Sequence, residues 1–130
     1  MTTRIDENPQ PNGTLALQLP VLPRDTNSFG DIGCGWLVSQ MDSAATISAS
    51  RVASGRVITV AADNMSFLIP IHVGDLVSCF TRIVQVGRSS IQVVVEAWVE
   101  SNEESTKVTE GLFVLVALDN EGRTRSIGDD

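Results

Sequence analysis

The spacing of apolar and polar residues changes several times along this chain, and each change marks an element. Residues 14–19 alternate, with Leu15, Leu17 and Leu19 on one side, which predicts a short strand. Pro20 and Pro23 bracket its end. Residues 25–35, DTNSFGDIGCG, combine three glycines with several cap-type residues and predict a loop that feeds a helix. From Gly35 to Ala53 the period is helical. Trp36, Leu37, Met41, Ala44, Ala45, Ile47, Ala49 and Val52 form its apolar stripe, and Gly55 follows as a stop. No other segment reads convincingly as helix.

Downstream the period becomes that of strands. Arg56–Ala62 is apolar and β-branched, and Leu76–Val86 and Ser90–Ser101 are long strand patterns joined by the tight turn Gly87-Arg88-Ser89. A further strand, Thr106–Leu118, is expected after a polar loop over Asn102–Ser105. The polar ends predict a flexible arm over 1–13 and a flexible tail over 120–130, leaving one domain at 14–119. Strand, helix, then four strands predicts an α+β domain, a strongly curved antiparallel sheet around one central helix. Runs such as Val93-Val94-Val95 and Leu112–Leu118 make both strand faces apolar, and one helix covers one face. A second subunit is the expected cover.

Composition narrows the chemistry. The chain has 130 residues, enough for one domain, and a formal net charge of −7. An acidic surface argues against binding nucleic acid or an anionic membrane. The polar first residues show no signal peptide and no apolar run spans a bilayer, so a cytoplasmic protein is expected. Cys34 and Cys79 read as free thiols of a reducing compartment. One histidine, His72, is too little for a zinc site and would have to serve as the base of any Ser-His-Asp machine. The chemistry is therefore expected to run on carboxylates, without metal or organic cofactor.

Four places could carry it. Asp42 sits mid-helix among Ser39, Ser43, Thr46 and Ser50; it marks a solvated face, or a carboxylate with room for a ligand beside it. Asn27 in the preceding loop is a turn-forming amide, or one that orients a carbonyl or a water. Gly30, Gly33 and Gly35 let a ligand approach the N–H groups of the helix start, or let the helix thread tightly into the sheet. Gly87, Arg88, Ser89 and Ser90 offer a cation, hydroxyls and amides suited to phosphate, as many solvated hairpins do.

Residues 25–44, DTNSFGDIGCGWLVSQMDSA, resemble the signature of hotdog-fold acyl-CoA thioesterases of the YciA type, which includes the larger cytosolic acyl-CoA hydrolases. Thr26-Asn27, Gly30, Ile32, Gly35, Trp36 and Asp42 fall at the matching spacings. VAADNMSFLIPIHVGDLV (60–77) is similar to the family's segment after the helix, with Phe67, Pro70 and Gly74-Asp75 in register, and GRSSIQV (87–93) to its hairpin. One departure stands out: the family's Phe-Gly-Gly is Gly33-Cys34-Gly35 here.

The resemblance implies a hotdog fold and hydrolysis of acyl-CoA to free fatty acid and CoA. Asp42 would be the general base, amides near Gly35 the oxyanion hole, and Asn27 the orienting amide. Phe67 and the Gly87–Ser90 hairpin would contact the substrate. It implies sites shared between subunits, Asp42 from one and Asn27 from the other, in a homo-oligomer of two or three dimers. Two alternatives remain on the same scaffold: a non-catalytic acyl-CoA-binding or sensing domain, and an acyl-CoA dehydratase, which would need His72 beside a carboxylate.

Overall fold

A computed structural model describes residues 10–63, 65–67 and 69–128. Strand β1 (Thr14–Pro20) leads through a 3-10 turn (Pro23–Asp25) to helix α1 (Cys34–Ala53). Four strands follow: β2 (Val57–Asp63), β3 (Leu76–Val86), β4 (Ser90–Ser101) and β5 (Glu104–Ala117). They form one antiparallel sheet in the order β1-β3-β4-β5-β2, with α1 packed on one face. This is the expected α+β hotdog architecture.

Strand alternation explains the core. Ile91, Val93, Val95 and Ala97 of β4, and Phe113, Leu115 and Ala117 of β5, point to one side and are buried against Leu37, Met41, Ala44, Ala45 and Ala49 of α1. The alanines add little bulk, so the helix lies close to the sheet. Ser48 Oγ and Thr81 Oγ1, 2.5 Å apart, tie α1 to β3.

The opposite face differs from the uniformly apolar surface expected. Val94, Val114 and Val116 are half-buried there, but the same face holds a buried carboxylate, Glu96. Glu96 accepts hydrogen bonds from Trp98 Nε1 at 2.9 Å and Arg82 Nη1 at 3.1 Å, with Lys107 nearby. The exposed apolar side chains gather elsewhere, at Val84 and Val86 of β3 and at Ile58 and Val60 of the edge strand β2, which are 51% and 58% exposed. An edge strand with unpaired backbone and apolar side chains is a natural seat for another chain.

Two expectations need correction. The polar loop expected over Asn102–Ser105 is a two-residue hairpin turn, with Asn102 at φ 53 and Glu103 at φ 69, so β5 starts at Glu104. Positive φ at both central positions matches the twist of the flanking strands. The tail expected to hang loose from residue 120 is tied back as far as it is described. Arg125 N–H donates to the Ala117 carbonyl, Arg125 Nη2 to the Ala53 carbonyl at 2.7 Å, and Ile127 N–H to the Arg88 carbonyl at 2.7 Å. Most of the expected N-terminal arm lies outside the described residues, but Asn12 N–H donates to Glu96 Oε1 at 3.2 Å.

Candidate active site

Helix α1 and strand β2 run past one another and leave a cavity of about 480 Å³ between them. Gly35, Val38, Ser39 and Asp42 line it from the helix, Thr59 and Ala62 from β2, and Phe113 forms part of its wall. Asp42 is half-buried, and its Oδ1 accepts a hydrogen bond from Thr59 Oγ1 at 2.5 Å. Its second oxygen, Oδ2, accepts none among the described residues and is left for whatever enters. A simple solvated face does not describe this carboxylate. Thr59 was missed in the sequence, although a lone hydroxyl in the apolar run Val57–Ala62 was a readable signal.

The helix start borders the same cavity. Gly33 is the N-cap and brings no side chain to the first turn. Trp36 N–H bonds back to the Gly33 carbonyl at 3.2 Å, while the N–H groups of Cys34 and Gly35 have no partner among the described residues. Glycine inside a helix costs about 1 kcal/mol relative to alanine. At Gly35 that cost is not explained by crowding, because an added Cβ would meet nothing within 4 Å. Tight threading of the helix through its own sheet is therefore not why these glycines are here. The arrangement can polarise a carbonyl at the helix start and hold a water against a carboxylate about two turns away.

Asn27 lies outside the cavity, in the loop before α1. Its Oδ1 accepts from Phe29 N–H at 2.9 Å and Asp31 N–H at 3.0 Å, and the turn closes through Gly30 at φ 83, a conformation suited to glycine. The turn-forming reading holds for the oxygen. The amide Nδ2 has no partner among the described residues and can still donate. The loop also presents Phe29, 86% exposed. Within one chain, Asn27 and Asp42 are not brought together.

The remaining sequence candidates lie apart from Asp42. Phe67 lines a second cavity of about 330 Å³, with Gly33, Cys34, Leu37, Ile71 and Val108. Gly87–Ser90 joins β3 to β4, two strands from β2 in the sheet. Its Ser89 carbonyl accepts from Ala117 N–H at 2.8 Å, and Arg88 is exposed with no ion pair among the described residues. His72 sits exposed in a turn whose N–H donates to Asp75 Oδ2 at 2.9 Å, away from the cavity, so it offers a dehydratase no base beside Asp42. Both cysteines are free, Cys34 exposed and Cys79 buried, and burial pushes the Cys79 thiol up to about 12.

Residues 29–106 match the model of the thioesterase superfamily, a span that holds the helix, Asp42 and Thr59. The chain belongs to this thioesterase superfamily. An acyl-CoA thioester hydrolase of Haemophilus influenzae, itself uncharacterised, is 47% identical over 91% of the chain and 80% of its own length. The YciA acyl-CoA thioester hydrolase of Escherichia coli K12 is 45% identical over 90% of the chain and 92% of its own length. Among solved structures, a hexameric broad-specificity acyl-coenzyme A thioesterase superposes with a TM-score of 0.92 at 44% identity, covering 96% of this chain and 88% of that one. Superfamily membership thus rests on sequence and fold together, and every residue lining the Asp42 cavity except Phe113 lies within the matched span.

Proposed function

We propose that this chain hydrolyses acyl-CoA thioesters to a carboxylate and CoA, with Asp42 as the general base. The observation that carries the reading is Asp42 itself, a helix carboxylate fixed by Thr59 and facing a cavity that opens at unpaired N–H groups. The names of the relatives described above, two acyl-CoA thioester hydrolases and an acyl-coenzyme A thioesterase, support the substrate class.

In the reaction, Asp42 Oδ2 takes a proton from water as the water oxygen attacks the thioester carbon. The carbonyl oxygen becomes an oxyanion held by the N–H groups of Cys34 and Gly35, aided by the positive end of the helix dipole. The tetrahedral intermediate collapses, the carbon–sulfur bond breaks, and the CoA thiolate leaves and takes up a proton. A thioester needs little further help, so one carboxylate suffices and neither metal nor organic cofactor enters. Asn27 of a second subunit supplies the donor that orients the water or the carbonyl. Arg88 and the Ser89-Ser90 hydroxyls hold the CoA phosphates. Since the similar solved enzyme is hexameric, we assign three dimers joined as a hexamer. Two free cysteines suit the reducing cytoplasm, where we place the reaction.

A thiol-release assay over acyl-CoAs of several chain lengths tests this. The wild type should turn over, and Asp42→Asn should lose on the order of a hundredfold or more in kcat while remaining folded. Binding of acyl-CoA with no release would favour the non-catalytic sensing domain instead.

A further inference from the structure

Gly33 sits at the N-cap of α1 with φ −76 and ψ 158, a conformation open to any residue, so the backbone there does not require glycine. Packing does not require it either, since an added Cβ would meet nothing within 4 Å. Serine or asparagine would cap the helix as well or better. What glycine leaves at this position is room, and the room belongs to a cavity of about 330 Å³. Its walls are apolar: Leu37 of α1, Val108 of β5, and Phe67 and Ile71 of the segment after β2. This chamber and the Asp42 cavity flank the same first turn of the helix, Cys34 lining one and Gly35 the other.

We infer that the chamber receives the hydrocarbon chain of the acyl group, and that Gly33 sets how much chain it admits. The inference rests on the thioesterase reading. A thioester whose oxygen lies at the Cys34 and Gly35 N–H groups must send its chain into an apolar volume that starts at that turn, and the chamber does. The Asp42 cavity is larger and also largely apolar, and what sets it apart is the carboxylate it must keep hydrated. A chain there would strip water from Asp42 and Ser39 and displace the water that Asp42 activates. Transfer of each methylene into an apolar site is worth about fourfold in affinity, so a few more in the chamber separate substrates widely.

The test narrows the chamber from its helix side with Gly33→Leu and, more severely, Gly33→Phe. For each, kcat/KM is measured by CoA release from butyryl-, octanoyl- and dodecanoyl-CoA, with folding followed by circular dichroism. The dodecanoyl-to-butyryl ratio should fall about tenfold in the leucine variant and further in the phenylalanine variant. The leucine variant carries the test if the larger side chain prevents folding. An unchanged ratio, or an equal loss at every chain length, would overturn the chamber and leave the thioesterase reading standing. Failure of the wild type to release CoA from any of the three would overturn both.

Discussion

Thr59 Oγ1 donates to Asp42 Oδ1 across the gap between β2 and α1, at 2.5 Å. A mid-helix aspartate has several rotamers and competing local partners. One hydroxyl from the neighbouring strand holds Oδ1 of the carboxylate and leaves Oδ2 without a hydrogen bond among the described residues.

Thr59→Val keeps the shape of the side chain and removes the donor. Leaving a half-buried carboxylate oxygen unpaired costs about 1–3 kcal/mol. Turnover should fall roughly tenfold with KM little changed, and Thr59→Ser, which restores a hydroxyl, should recover most of it. Steady-state kinetics of both variants decide the point. Near-normal kcat in the valine variant would remove Thr59 from the site.

Much of this was legible in the sequence, for identifiable reasons. The change from helical to strand spacing located α1 and the four strands after it, because each buries one face against the other. The turn at Asn102-Glu103 was misplaced because its polar residues read as a loop, whereas pairing of the strands continues to Ser101↔Glu104. The docked tail and the burial of Glu96 were illegible because they depend on partners distant in sequence, Arg125 with Ala53 and Glu96 with Arg82 and Asn12 beside the nearby Trp98. Asp42 was found by its motif. Thr59 was not: its lone hydroxyl in the apolar run Val57–Ala62 marks a polar contact, but its partner Asp42 is seventeen residues away and is set by the packing of β2 on α1.

Arg88→Ala should raise KM for full-length acyl-CoA about tenfold at low salt, with kcat nearly unchanged, because a remote phosphate contact contributes to ground and transition states alike. The difference should shrink as ionic strength screens the charge. An acyl-pantetheine lacking the nucleotide should show no difference between wild type and variant. An unchanged KM for the full substrate would detach this hairpin from CoA binding.

Cys79 ties stability to alkaline pH. Burial raises its thiol to about 12 from an ordinary 9.0, so the folded chain holds this proton where the unfolded chain releases it. The stability this group contributes is complete below about pH 9 and is lost as pH rises towards about 12. Urea midpoints through that window should decline more steeply for wild type than for Cys79→Ala. In the native protein a maleimide should label the exposed Cys34 and leave Cys79 unmodified. Parallel pH slopes, or rapid native labelling of Cys79, would contradict this.

In the proposed thioesterase no single chain completes the site, which takes Asp42 from one subunit and Asn27 from the next. Two variants, Asn27→Ala and Asp42→Asn, should each be close to inactive alone. Mixed under conditions that exchange subunits, half of the random dimers are heterodimers, and each of these regains one site holding both native residues. Activity should therefore return to about a quarter of wild type, in proportion to the mixed oligomers verified by native mass spectrometry. Verified mixed oligomers with no recovery of thiol release would contradict the shared site.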